Sequence, residues 1–310
     1  MTVTIVIPCH DSDATLHATC ESVRAQTCDD WRVIAVDDRS TDGTAHILRQ
    51  MAAEDARFTV IAGPGVGASA ARNAALGRID SGFVAFLDAD DLWEPTRLTA
   101  LHRVFADRKN VDIAYSRYAF FTDEPGDNAT HSTVPRAPLN VLDLMRENAV
   151  GTMSNLMMRR SALTRTGPFR EDISHGEDRE WLVRAVARGA VIAGLDETLL
   201  HYRTTIGGLS TDLDRMHAGW RESLRTARDL DALPSAPALK SAEAVYLRYL
   251  ARRALRLGMP PKVAAGYALR GVTRSPRGFF SGGARGPLTL GSALAGLIAP
   301  RAMRDALANR

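Results

Sequence analysis

The chain has 310 residues, 45% of them hydrophobic and 24% charged, with a formal net charge of +3. That length supports a substantial core and more than one module, and the composition excludes collagen-like, low-complexity and disulfide-scaffold chains. Cys9, Cys20 and Cys28 are odd in number and lack metal-type pairing, no apolar run reaches the ~18 residues of a spanning helix, and no basic leader with a long apolar stretch precedes the first strand, so a disulfide framework, a membrane span and a signal peptide are all unexpected and a reducing, cytosolic location fits.

In chain order, Val3 to Ile7 reads as a buried strand, followed by a helix from Ala14 to about Gln26. Arg32 to Val36 is the second strand and ends in Asp37 and Asp38. Asp42 can cap the helix carrying Ile47, Leu48 and Met51. Phe58 to Ile61 is a third strand, Ala68 to Leu76 a helix, and Phe83 to Leu87 a fourth strand. Pro95 starts the next helix near its first turn. This alternation predicts a mostly parallel sheet covered by helices on both faces. Ligands of such sheets sit beyond the carboxyl ends of the strands. Asp37/Asp38, Asp88/Asp90 and His10/Asp11 all fall at strand ends, which supports one composite site.

Further along, Val111 to Ser116 predicts a strand, and Asp123 to Pro138, polar and holding three prolines, a loop or lid. Asn155 to Met158 reads as a strand and Ser161 to Thr166 as a short helix. Gly176-Glu177-Asp178 precedes Trp181, Leu182, Ala185 and Val186, whose spacing suits an amphipathic helix. Val191 to Leu195 and Thr198 to Tyr202 read as two short strands, with the sheet region ending near Ser210. From Arg221 onward there are 16 basic and five acidic residues, against 23 and 31 before it. A basic tail on an acidic body predicts a second module with its own partner, such as an anionic membrane surface. In that tail Tyr246 to Leu257 reads as a helix with Arg248, Arg252 and Arg256 every four residues. It can lie on an anionic bilayer or pack its apolar face on the catalytic domain with its arginines in water. Gly278 to Gly286 reads as linker, and Leu288 to Ala299 as an apolar segment weakened as a helix by Gly291 and Gly296. No recognised module surrounds the arginines, so nucleic acid is not an expected partner.

Phe86-Leu87-Asp88-Ala89-Asp90-Asp91 carries the most chemistry. Three carboxylates follow a buried strand within four residues, where like charges repel and solvation is reduced. Hard divalent cations take oxygen ligands, and a Mg2+ site often needs only one or two carboxylates plus substrate phosphates. The residues alone fit either an Asp-x-Asp metal site holding a diphosphate or a solvated acidic turn with Asp91 capping a helix after Leu92.

Six motifs stand in order: Thr4-Ile5-Val6-Ile7-Pro8, Ser22 to Thr27, Val36 to Thr44, Ala71-Arg72-Asn73, Phe86 to Asp91, and Gly176-Glu177-Asp178-Arg179-Glu180-Trp181. Together they resemble the inverting glycosyltransferases of family 2, with the GT-A nucleotide-sugar-binding fold, over roughly residues 2 to 210. The resemblance implies a catalytic domain over 1–210, with a nucleotide-sugar half to about 115 and an acceptor half from about 116. A basic, mainly helical region fills 211–310. It implies that Asp38 pairs with the base, usually uracil, that Asp37 supports it, and that Pro8 and His10 line the base pocket. His10-Asp11 stands where the family usually has Tyr-Asn. It implies that Asp90 coordinates Mn2+ or Mg2+, that Asp88 reaches the ribose or the metal, and that Arg72 faces the nucleotide. Asp178 is implied to be the general base, with Glu177 orienting base or acceptor. At a helix start the helix dipole should favour the charged form of Asp178. Arg203 is implied to contact phosphate, with Thr205 at a position where the family often has His.

Bland alternatives stay open: a local cap at Asp38 or Ser40, a helix cap at Glu177 and Asp178, a surface salt bridge at Arg72. The expected function is metal-dependent, inverting transfer of a sugar from a nucleoside diphosphate sugar, UDP foremost, to a glycan or lipid-linked acceptor in cell-surface polysaccharide or glycolipid synthesis. The expected location is the cytoplasm, with peripheral contact at the inner face of the membrane. Gly63-Pro64-Gly65-Val66-Gly67-Ala68 also fits the G-x-G-x-x-A pattern of a dinucleotide-binding oxidoreductase, though it follows the third strand. A phosphotransferase using Asp88 as nucleophile lacks the hydroxyl expected at Leu92. A non-catalytic nucleotide-sugar-binding protein is the remaining alternative.

Overall fold

The computed structural model describes residues 2–127, 130–204 and 211–298. The chain divides into two compact units, Met1–Asn140 with Ala149–Thr205, and Val141–Asn148 with Ile206–Arg310.

The first unit is built on one eight-stranded sheet. Its first half follows the alternation: β1 (Val3–Cys9), α1 (Asp13–Arg24), β2 (Trp31–Asp37), α2 (Thr44–Glu54), β3 (Phe58–Ala62), α3 (Ala68–Leu76) and β4 (Phe83–Phe86). β5 (Leu92–Trp93), α4 (Arg97–Asp107), β6 (Ile113–Phe121), β7 (Leu156–Arg159), α6 (Arg160–Thr166), α7 (Glu177–Ala187) and β8 (Ile192–Arg203) complete the unit, while α5 (Val141–Met145) belongs to the second. The strand order is β3-β2-β1-β4-β7-β6-β8-β5. β1, β2, β3 and β4 run parallel, β7 runs antiparallel between β4 and β6, and β8 is parallel to β6. The chain therefore winds outward from β1 to β3 and returns to β4 on the other side of β1. That reversal opens the crevice where ligands of doubly wound sheets bind.

Alternation along the strands sends side chains to two covered faces. Ile5 and Ile7 of β1 share a core with Leu16 and Cys20 of α1, Leu48 and Met51 of α2, and Leu98 and Leu101 of α4. On the opposite face Phe86 meets Phe169 edge-on at 5.3 Å, and Phe169 stacks on Trp181 of α7 at 5.5 Å. Burial on both sides explains why these strands read as near-continuous apolar runs.

Two departures from the sequence reading concern the sheet's far side. No helix follows Leu92. Leu92 and Trp93 pair antiparallel with His201 and Leu200, and the helix begins only at Arg97. Trp93 is drawn inward, its Nε1 donating to Ser154 O at 2.9 Å. The two short strands after Val191 are one strand, β8. Register shifts beside Ser116 and Arg117 of β6 absorb the polar Asp196-Glu197 pair that reads as a break. Arg117 anchors this bulge through Asp196.

The second unit is helical: α5, α8 (Leu213–Asp229), α9 (Ala236–Arg256), α10 (Pro261–Arg274), α11 (Pro276–Phe279) and α12 (Arg285–Ile298). Trp220 of α8 stacks on Tyr246 of α9 with centroids 6.0 Å apart, and its Nε1 donates to Met145 O of α5 at 2.8 Å. Arg248 is buried at 3% exposure, contrary to a stripe of arginines in water. Its guanidinium donates to Phe279 O, Ser281 O and Glu147 Oε1. The glycines from Gly278 to Gly286 are not a free linker. A Cβ on Gly278 would lie 2.6 Å from Ser241 O, and one on Gly286 2.7 Å from Phe279 O, so both let backbones approach. The apolar segment from Leu288 is helical through Ile298 despite Gly291 and Gly296.

Candidate active site

The loops after β1, β2 and β3 are tied together by short polar side chains. His10 Nδ1 lies 2.9 Å from Asp38 O, and the ring is exposed. Asp11, at φ 43°, accepts from Thr41 N at 2.6 Å. Asp37 Oδ1 accepts from Ser40 N, closing a local turn. Asp38 is 3% exposed and accepts from two loop amides, Gly65 N at 2.7 Å and Gly67 N at 2.9 Å. A Cβ on Gly63 would sit 2.5 Å from Asp38 Oδ1, and one on Gly65, at φ 78°, would strike the Arg39 side chain. The glycines thus serve the close approach of Asp38 and Arg39. Two amides that a dinucleotide pyrophosphate would need are turned onto a carboxylate, which weighs against the oxidoreductase alternative. Pro8, half-buried, pairs with Val36 immediately before these loops.

Next to β1, the end of β4 carries the acidic cluster. Asp88 Oδ1 accepts from Arg72 Nη2 at 2.6 Å, Oδ2 from Thr152 Oγ1 at 2.9 Å, and Asp88 N donates to Ser154 Oγ. Burial pushes its carboxyl up, but Arg72, Thr152 and Ser154 outweigh that and hold it below the usual carboxylate range. Asp90 has no such compensation: burial and the charge of Asp88 push it up to about 6, against a weaker pull from Arg203. Asp91 is fully buried, and burial, Asp90 and Asp88 push it well up. Arg203 closes over this turn, its N donating to Asp91 Oδ1 and its Nε to Asp90 O at 2.9 Å each. Its Nη1 donates to Thr122 O and its guanidinium lies over Phe121. Thr205 and the Gly207 to Ser210 segment lie outside the described residues.

From α7, Gly176 at φ 78° turns the chain so that Glu177 and Asp178 open the helix. Arg72 of α3 reaches across to them. Its Nη2 holds Asp88 and its Nη1 lies 3.3 Å from Glu177 Oε1, with the residue only 3% exposed. A surface salt bridge is therefore not what Arg72 makes. Burial and the Asp178 charge push Glu177 up despite Arg72. Asp178 is also raised, chiefly by burial, although the Arg179 guanidinium and the Arg179 backbone N–H, which donates to Asp178 Oδ1, pull it down. Burial therefore outweighs the helix-start effect expected from the sequence. Asp178 and Asp90 both feel the charge of Asp88, and Cys9 at the end of β1 feels both Asp37 and Asp88.

Four polar residues around the acidic cluster are marked by no motif in the sequence: Thr152, Ser154, Asn155 and Arg97. Thr152 and Ser154 grip Asp88, while Arg97, fully buried, donates to Ser116 Oγ and Asn155 Oδ1. Burial pulls the Arg97 guanidinium down to about 9 against the attraction of Asp91. The only sequence signal was a polar run, Thr152 to Asn155, interrupted by Met153 and leading into an apolar strand.

Among the described residues, no group of three or more His, Cys, Asp or Glu is arranged to hold a metal ion. The residues present still suit a cation that brings its own oxygen ligands. Asp90 is an acid whose charge nothing among the described residues fully offsets, and an ion bound mainly by substrate phosphates needs one or two protein carboxylates.

A family model described as glycosyl transferase family 2 matches residues 4–167. The chain is 28% identical to Bacillus subtilis TuaG, named for teichuronic acid biosynthesis, over 68% of this chain and 82% of TuaG. It is 26% identical to WfgD of Escherichia coli, a UDP-Glc:alpha-D-GlcNAc-diphosphoundecaprenol beta-1,3-glucosyltransferase, over 57% of this chain and 66% of WfgD. Among solved structures, Staphylococcus aureus TarS 1–349 in complex with UDP-GlcNAc superposes with a TM-score of 0.65 at 16% identity, covering 99% of this chain and 89% of that one. The mannosyltransferase PcManGT of Pyrobaculum calidifontis, in complex with GDP-Man and Mn2+, gives 0.60 at 16%, covering 99% and 83%. The fold is the GT-A fold, followed by C-terminal helices.

Proposed function

This chain belongs to glycosyl transferase family 2 and is a glycosyltransferase, and we propose that it transfers a sugar from a nucleoside diphosphate, UDP foremost, to an acceptor hydroxyl with inversion at the anomeric carbon. The observation that carries this reading is the ion-pair bridge of Arg72 between Asp88 and Glu177. It links the acids that open α7 to the carboxyl end of β4, which supports a donor-side role for Asp88 and an acceptor-side role for Glu177 and Asp178 in one site.

In this proposal Asp178 takes the proton of the acceptor hydroxyl as that oxygen forms its bond to the anomeric carbon. The bond to the diphosphate oxygen breaks on the opposite face, and the nucleoside diphosphate leaves with the electron pair. A carboxyl raised by burial is a stronger base than an exposed aspartate, which suits that task. Glu177, held by Arg72, orients base or acceptor. Asp90, with Asp88, would hold Mn2+ or Mg2+, and a bound divalent cation neutralises charge on the departing diphosphate. Arg72 keeps Asp88 ionised, and Arg203 holds the Asp90–Asp91 turn in place. Asp38, Asp37, Pro8 and His10 form the base end. Asp38 spends one lone pair per oxygen on the glycine loop, so acceptor capacity remains for a ring N–H.

The names of TuaG and WfgD favour synthesis of a cell-surface polysaccharide or its glycolipid precursor, and WfgD's favours a lipid-linked acceptor and UDP. Among the described residues no helix is long and apolar enough to cross a membrane. We place the protein in the cytoplasm, in peripheral contact with the membrane through its basic C-terminal region.

The test is substitution with two readouts, transfer from UDP-sugars and donor binding by calorimetry with Mn2+. Asp90→Ala should abolish metal-dependent turnover. Asp178→Asn should abolish transfer while donor binding persists. Transfer retained by both variants would overturn the site.

A further inference from the structure

We propose that the outer face of α12 docks the protein onto an anionic lipid bilayer. α12 has no charged residue from Gly286 to Ile298. Its inner arc consists of small side chains, Gly286, Thr289 and Ala293, buried against the unit. The outer arc, which on a soluble helix would be polar, instead presents Leu288 at 67%, Leu294 at 39% and Ile298 at 88% exposure, and Leu297, which continues the inner stripe, is half-exposed near the end of the helix. Phe280, 38% exposed, lies beside Gly286 at the first turn of the helix. Single exposed leucines are ordinary, but a contiguous apolar face marks an interaction site.

Charge selects the occupant. Between Ala244 and Arg304 the chain has eleven Lys or Arg and no Asp or Glu. Basic residues flank both ends of the apolar face. Arg285 begins the helix, and exposed Arg277 lies just before Phe280. At the far end Gly296 approaches Pro261, the neighbour of exposed Lys262. Glu147 and Glu243 are already engaged, by Arg248 and Arg285 and by Arg274. A second copy of this surface would bring like charges together, whereas an anionic headgroup layer meets both the basic rim and the apolar centre. Fourteen residues span roughly 21 Å, less than the ~30 Å hydrocarbon core, so the helix would lie in the interface rather than cross it.

This deepens the membrane-contact reading given above, but binding is measured without donor or acceptor, so its failure leaves the transfer reading standing. The full chain is floated with vesicles of phosphatidylcholine alone, or of phosphatidylcholine with phosphatidylglycerol. The expected result is binding to the anionic vesicles, weakened by salt, and little binding to the neutral ones. Leu294→Glu with Leu297→Glu should reduce it by about tenfold or more, since apolar burial is lost and like charge added. Lys262→Glu with Arg277→Glu should erase the preference for anionic lipid. Equal binding by the leucine variant would overturn the proposal, as would no binding by the parent. A parent that sediments as a dimer, made monomeric by the leucine substitutions, would also overturn it by assigning the face to a second copy.

Discussion

Arg72 shows how one residue can hold a site together. Its guanidinium is buried between Asp88 and Glu177, so removing it leaves two part-buried acids without their cation. Arg72→Met should destabilise the protein by about 3–5 kcal/mol, the cost of leaving a buried pair unbalanced, with Arg72→Lys intermediate because one ammonium cannot span both partners. Urea unfolding measures both. Asp90 predicts a pH dependence. Its folded carboxyl titrates at about 6, the unfolded one near ~3.9. Between those values the folded protein holds a proton that the unfolded chain has lost, so stability falls as pH rises from about 4 to about 6 and levels off above. In chelator, Asp90→Asn should remove that part of the slope and gain about 2–3 kcal/mol at pH 7 relative to the parent. Unfolding at pH 4.5 and 7 tests the sign: a variant gain no larger at 7 than at 4.5 refutes it.

At the scale of elements, the long apolar strands were readable because a strand buried on both faces must be apolar throughout. β5 was not, since two residues have no periodicity, and Leu92-Trp93 resembles the start of the following helix. In sequence β8 looks like two strands because a bulge places Asp196 and Glu197 in a continuous ladder. In the helical unit, glycines that look like linker are contact points. Gly278→Ala would push a methyl group against the α9 backbone at Ser241 and should cost about 1–3 kcal/mol. Gly77→Ala, with open space and a φ of −68°, should be neutral or slightly stabilising. Thermal melts of the pair would separate packing from a general loss of glycine freedom, which predicts no difference in that direction.

For the whole molecule, the second unit is discontinuous. α5 reaches it from residues 141–148, far from the C-terminal helices in sequence, and buries Val141, Leu144 and Met145. Trp220 and Arg248 bind this segment through Met145 O and Glu147. A fragment ending at residue 210 would therefore leave α5 without α8 and α9. We expect it to melt below the full chain and to aggregate, as followed by circular dichroism and light scattering. A fragment as stable and soluble as the full chain would refute this role for α5.

The sequence by itself determined the alternating strands and helices, the sheet class and the position of every carboxylate at a strand or helix end, because these follow from local periodicity and short motifs. Only the tertiary structure decided which charges face each other. Arg72 finds Glu177 across 105 positions, Arg203 closes on Asp90 and Asp91, and Arg248 turns inward. Pairing of charges depends on which strands lie side by side, and a surface arginine and a buried one look the same until burial removes the water between them.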